Sequence, residues 1–127
     1  MGERWALLFG LACGAVGFVI EGLAPTGAIF LAGIPWIALW GIAGASVQGL
    51  MTRRVGADEQ GQLQGANGSL FGIAELVGPM VFTLTFARFV GPWRDLGLPG
   101  APFVLSALLL VVAMGVAWPI VRRGRMA

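Results

Sequence analysis

The stretch Arg53–Pro79 reads RRVGADEQGQLQGANGSLFGIAELVGP, and its reading decides the fold. Two arginines open it, an acidic pair follows at Asp58-Glu59, and from about Gln62 it becomes an apolar segment punctuated by glycine. Gly61, Gly65, Gly68 and Gly72 step by four, three and four, so on an ideal helix they cover a narrow arc of one face. Gln64 and Glu75 fall beside that arc, and Asn67 falls just beyond them. A seam of small residues therefore runs next to a seam of polar ones. Gly78-Pro79 is expected to bend the helix past its middle.

The rest of the chain is more apolar still. Of its 127 residues 57% are hydrophobic and 11% charged, against roughly 25% charged in an ordinary soluble domain, and the mean hydropathy is +0.86. A small soluble domain buries only about two-thirds of its surface, which leaves no room to hide this much apolar area. The composition implies an all-α membrane protein with four transmembrane helices. About 20 residues at 1.5 Å each span roughly the 30 Å of a bilayer core, and four segments meet that length: about 5–24, 27–51, 62–89 and 101–121. They form one membrane domain, 1–127, with loops at 52–61 and 90–100.

In the first span Ala6, Gly10, Gly14, Gly17 and Glu21 share one face, a groove for a neighbouring helix. A signal peptide with Arg4 as its basic flank is the rival reading; the length of the span and its ordered glycines favour a membrane helix. The second span carries Pro35 and sets Gly41, Gly44, Ala45 and Gln48 on one face. The short loop after it makes the second and third helices antiparallel neighbours. Trp93 stands in the Gly/Pro-rich loop before the last span, where an interfacial aromatic belongs. The last span, polar only at Ser106, reads as the most lipid-exposed helix.

All eight basic residues are arginine, and they flank the spans rather than forming a nucleic-acid patch. Arg4, Arg53, Arg54, Arg122, Arg123 and Arg125 fall on one side of the membrane, Arg88 and Arg94 on the other. The excess places both termini and the Arg53 loop in the cytoplasm. The single cysteine, Cys13, can form no intrachain disulfide, and there is no histidine. No catalytic triad, CxxC pair or phosphate loop after a strand is present, so neither an enzyme, a metal nor a cofactor is expected.

Glu75 is the sharpest chemical signal. A carboxylate at membrane depth costs on the order of 3 kcal/mol on insertion scales and usually faces a cavity or a partner. It reads either as a proton-coupling or cation-contact group, or as a neutral acid hydrogen-bonded between helices. Gln48, Gln64 and Asn67 suit the wall of a pathway for polar ligands; interhelical hydrogen bonding is the competing account, at about 0.6 kcal/mol each. Glu21 lies near the far interface, where solvation accounts for it. Asp58 and Glu59 read as a solvated loop pair, or as a gating contact with another cytoplasmic segment.

The order of motifs resembles a known family. Gly-Glu-Arg precedes an apolar helix, and the second span ends Val47-Gln48-Gly49-Leu50-Met51. After the basic-acidic loop come Gln60-Gly61-Gln62-Leu63-Gln64-Gly65, then Val77-Gly78-Pro79 and Phe82. This resembles the C-terminal third of the tetracycline-resistance efflux branch of the major facilitator superfamily, over nearly the whole chain. The resemblance implies a proton-driven drug antiporter of the bacterial inner membrane with twelve helices in two halves, of which these four spans are the ninth to twelfth. Family members that export tetracycline carry an intramembrane aspartate in the first of these helices, where this sequence has Gly14. The family histidine of the preceding helix lies outside the chain.

Alternating access needs two bundles rocking about a midplane site, and four helices are fewer than one half. The expectation is a truncated or split product, inactive alone. It would meet the lipid bilayer, the remaining helices of the same transporter or another copy, and a small amphipathic drug with a proton. Gln48, Gln64, Asn67 and Glu75 are the expected pathway residues. Gly10, Gly14, Gly17, Gly41, Gly44, Gly61, Gly65, Gly68 and Gly72 are the expected packing residues. A small self-associating membrane subunit and a facilitator of another substrate are the alternatives.

Overall fold

The computed structural model describes residues 2–123; Arg125, one of the expected topology anchors, lies outside them. The chain forms α1 (Glu3–Leu23), α2 (Gly27–Thr52), α3 (Gln60–Val90), a 3₁₀ turn (Arg94–Leu96) and α4 (Ala101–Arg123). Each of the four α-helices is long and apolar enough to cross a membrane.

Local chemistry sets where each helix starts and stops. α1 opens with Glu3 in its first turn, where a carboxylate complements the helix dipole. It stops at Ala24, whose extended backbone (ψ 116°) is what the following Pro25 demands. Thr26 then caps α2: its side-chain oxygen accepts from the Ile29 N–H at 3.4 Å. At the far end of α2 the Gln60 amide donates to the Thr52 carbonyl at 2.9 Å, satisfying an acceptor the helix itself leaves unpaired. α3 gives way at Gly91, before Pro92, and the connection to α4 turns through Gly97, whose φ of +64° is left-handed. α2, α3 and α4 continue as helix through Pro35, Pro79 and Pro119, as membrane helices do where neighbouring groups re-satisfy the freed carbonyl.

α1 is the centre of the packing, with α2 on one side and α4 on the other. Against α2 the register is antiparallel. A Cβ on Gly10 would stand 2.6 Å from the Ala43 nitrogen, one on Gly14 2.8 Å from Trp40, and one on Gly17 2.7 Å from Ile37. The backbones thus meet where side chains are absent. Against α4 a core forms from Leu7, Leu8, Leu11, Ala43, Ala117 and Val121, with Leu110, Ala113 and Met114 packed on it. The other end is closed by rings: Phe18 meets Trp40 at 5.6 Å edge-on, and Phe103 meets Phe30 at 5.6 Å, tying α2 to α4.

α3 departs from the expected arrangement. It does not lie along α2 as an antiparallel neighbour; it meets α4 and α2 only sparsely, and none of its residues is buried. It, rather than α4, is the most exposed helix: α4 buries Ala101, Ala107, Ala117 and Val121, whereas Leu76 of α3 is 81% exposed. The physical reason is that α1 offers two packable faces, and α2 and α4 occupy both. A third partner for the glycine arc of α3 is not present within these residues. The same holds on the outer side of α2, where Gly41 and Gly44 face open space.

Candidate functional site

α3 carries three of the four expected pathway residues. Gln64 and Glu75 are eleven positions apart, which on an α-helix sets them within about 20° of one another around the axis and roughly 16 Å apart along it. Asn67 stands about 60° to the side of Gln64. Gln64 and Glu75 are exposed and Asn67 is half-buried. Beside them Gly61, Gly65, Gly68 and Gly72 have nothing within 4 Å of where a Cβ would stand. The result is a smooth strip next to a polar strip, both facing outward. Two of the hydroxyls on the helix are turned inward to its own backbone: Ser69 donates to the Gly65 carbonyl at 3.0 Å and Thr85 to the Val81 carbonyl at 2.8 Å.

Gln48, the fourth, is on α2 and half-buried. With α2 and α3 in such slight contact, the structure does not bring the four residues into one cavity. The Gln48 backbone carbonyl accepts from the Thr52 hydroxyl at 3.0 Å, but among the described residues no hydrogen bond or ion pair engages the side chains of Gln48, Gln64, Asn67 or Glu75. Such a strip can present amide donors and acceptors and one carboxyl group to a ligand or to another helix, but it needs a facing wall to become a pathway.

Glu21 is not the solvated interfacial residue that its position on α1 suggests. It is 8% exposed, so solvation at the interface does not account for it. Its side chain lies in the α1–α2 contact, with Cγ 2.7 Å from where a Cβ on Gly33 would be; the absent side chain of Gly33 makes the room. The signal was its place at the end of the Gly10-Gly14-Gly17 face, which already pointed into the neighbouring helix. Gly22 and Gly100 were missed. Gly22 touches Gly100 backbone to backbone, a closeness that any side chain on Gly100 would forbid.

A second polar region sits at the end of the bundle where α1 begins and α2 and α4 end. A cleft of about 1440 Å³ is lined there by Glu3, Arg4, Trp5, Leu50, Arg53, Arg54, Trp118, Pro119, Val121, Arg122 and Arg123, among others. Arg53 donates to Glu3 Oε1 at 2.8 Å, with the Arg53 side chain 76% exposed, an arrangement worth about 1 kcal/mol or less. None of the four expected pathway residues lines this cleft. At the opposite end Arg88 lies over the Trp93 ring at 5.7 Å, and Phe89 meets the same ring edge-on at 5.5 Å. Those contacts fix Trp93 against the end of α3.

Comparison with known proteins bears out the resemblance. The chain is 30% identical over 123 residues to the class G tetracycline resistance protein of Vibrio anguillarum and 30% identical over 123 residues to the class C tetracycline resistance protein of Escherichia coli. Both matches take in 97% of this chain. It is 27% identical over 113 residues to the class H protein of Pasteurella multocida. The chain spans 29% of the length of the class G and class C proteins. No family model matches it, and no solved structure does. The chain is thus a multi-pass, all-helical membrane protein homologous to a portion of tetracycline resistance proteins.

Proposed function

We propose that these four helices are the C-terminal portion of a proton-coupled efflux transporter of the major facilitator type, one that exports tetracycline-like, small amphipathic drugs. Its setting is the bacterial inner membrane, with both termini on the cytoplasmic side. The observation that carries the reading is the similarity to tetracycline resistance proteins along 97% of the chain. The uncovered α3 supports it, because a polar strip flanked by glycine is what a helix needs when other helices complete the wall of a pathway. In this reading Gln64, Asn67 and Glu75 belong to that wall, and Gln48 on α2 joins them only once the missing helices close the pathway. Catalysis is not part of the reading: transport by alternating access moves a ligand between two bundles without making or breaking its bonds.

The open glycine arc of α3 also favours a second reading, in which two copies of the chain pack through Gly61, Gly65, Gly68 and Gly72. The two readings separate in one experiment on tetracycline accumulation in cells. One strain produces the chain alone. Another produces it joined in frame behind the preceding helices of the class C tetracycline resistance protein. The joined protein is expected to lower accumulation several-fold, and a protonophore to cancel the effect. The chain alone is expected to match the empty vector. Lowered accumulation with the chain alone, or a membrane-inserted joined protein with no effect, contradicts the proposal.

A further inference from the structure

The arginine cleft is not used by the proposed pathway, and its composition is specific. Three helix ends contribute to it: Arg4 from the start of α1, Arg53 and Arg54 from the end of α2, Arg122 and Arg123 from the end of α4. Five arginines thus line one cleft with a single carboxylate, Glu3, which is taken up by Arg53. Among the described residues the other four have no acidic partner within ion-pair distance. Crowding like charges in one cleft is unfavourable unless an anion enters. Guanidinium is also the group best suited to grip phosphate oxygens in pairs.

The rest of the lining says what kind of anion. Trp5 and Trp118 stand at the cleft 52% and 46% exposed, and amphipathic rings of this kind sit at the headgroup level of a bilayer. Leu50, Pro119 and Val121 add an apolar floor between the helix ends. A free phosphate has no use for that floor, whereas a lipid has a glycerol and the start of its acyl chains to place there. We infer that this cleft binds the phosphate headgroup of an anionic phospholipid. The bound lipid bridges α1, α2 and α4 at the end where their arginines repel, and so closes the bundle electrostatically. Basic pockets between membrane helices take such headgroups by this chemistry.

The test uses the purified chain in mixed micelles containing equal amounts of phosphatidylglycerol and phosphatidylcholine, with bound lipid read by native mass spectrometry. Phosphatidylglycerol is expected to be retained in preference to phosphatidylcholine. The double variant Arg54→Gln/Arg122→Gln is expected to weaken that retention by about 30-fold, from the contribution of each arginine near a lipid phosphate. Arg54→Lys/Arg122→Lys keeps the charge and retains most of the binding, which shows that the bundle still folds. Arg88→Gln/Arg94→Gln, at the other end, leaves retention unchanged. Equal retention of the two lipids overturns the inference, as does equal loss in the Arg88/Arg94 variant. Displacement of the lipid by inorganic phosphate at millimolar concentration assigns the cleft to a free anion and overturns it as well.

Discussion

Glu75→Gln is expected to abolish pH-driven drug efflux in the joined transporter, to the level of the empty vector, while the protein still inserts and accumulates normally. Glu75 lies fifteen positions into the 31 residues of α3, so it falls near the middle of the membrane. A carboxylate there costs on the order of 3 kcal/mol on insertion scales. No ion pair or hydrogen bond within the described residues offsets that cost, and the residue is exposed rather than packed. Glutamine has nearly the same shape and keeps an acceptor and a donor, but it cannot carry a proton. A coupling role and a packing role therefore part company in this one substitution. Efflux driven by an imposed pH gradient should vanish, while drug exchange without a gradient should persist. Unchanged pH-driven efflux would reduce Glu75 to a hydrogen-bonding spacer between helices.

The second large effect concerns the centre of the fold. Gly10→Val is expected to pry α1 from α2, because even the first carbon of a side chain would lie 2.6 Å from the Ala43 nitrogen and 2.9 Å from the Ala43 Cβ. The obstacle is backbone, which cannot rotate away as the tip of a long side chain can. Overpacking of a well-fitted core costs about 1–3 kcal/mol, and a collision with backbone belongs at the upper end of that range. Gly65→Val meets nothing within 4 Å in this chain. In the isolated chain it should therefore change stability by no more than the few tenths of a kcal/mol usual for an exposed site. Thermal unfolding in detergent, followed by circular dichroism, checks the pair. A Gly10→Val chain as stable as the parent would mean that α1 and α2 are not in this close register.

The contrast between these two glycines shows how much of the molecule is legible from sequence. Glycine spacing marks faces of a helix, since helical periodicity is local. It could not say which face meets a partner inside this chain, because that depends on the competition for α1. Gly10, Gly14 and Gly17 meet α2, while Gly61, Gly65, Gly68 and Gly72 meet nothing. The loop between α2 and α3 is short, and a short loop ordinarily implies neighbouring helices; here α4 returns to α1 and takes the remaining face. Its Leu, Val and Ala content, polar only at Ser106, made α4 look like the lipid-facing helix, yet it buries Ala101, Ala107, Ala117 and Val121. Glu21 was misjudged for a related reason. Its distance along α1 was readable, but the space created by Gly33 on another helix was not. The arginines were placed on one side by counting alone, whereas their convergence on a single cleft needed three helix ends in space.

The central claim is that the bare glycine arc of α3 is a surface made for other helices of a larger transporter. Electron paramagnetic resonance tests it directly, with a nitroxide attached at Gly68→Cys in a Cys13→Ala background and the protein in lipid nanodiscs. In the chain alone the label should give the narrow lines of a mobile side chain; in the joined transporter it should give the broad lines of an immobilised one. Narrow lines in both proteins, or broad lines in the chain alone, would contradict the claim.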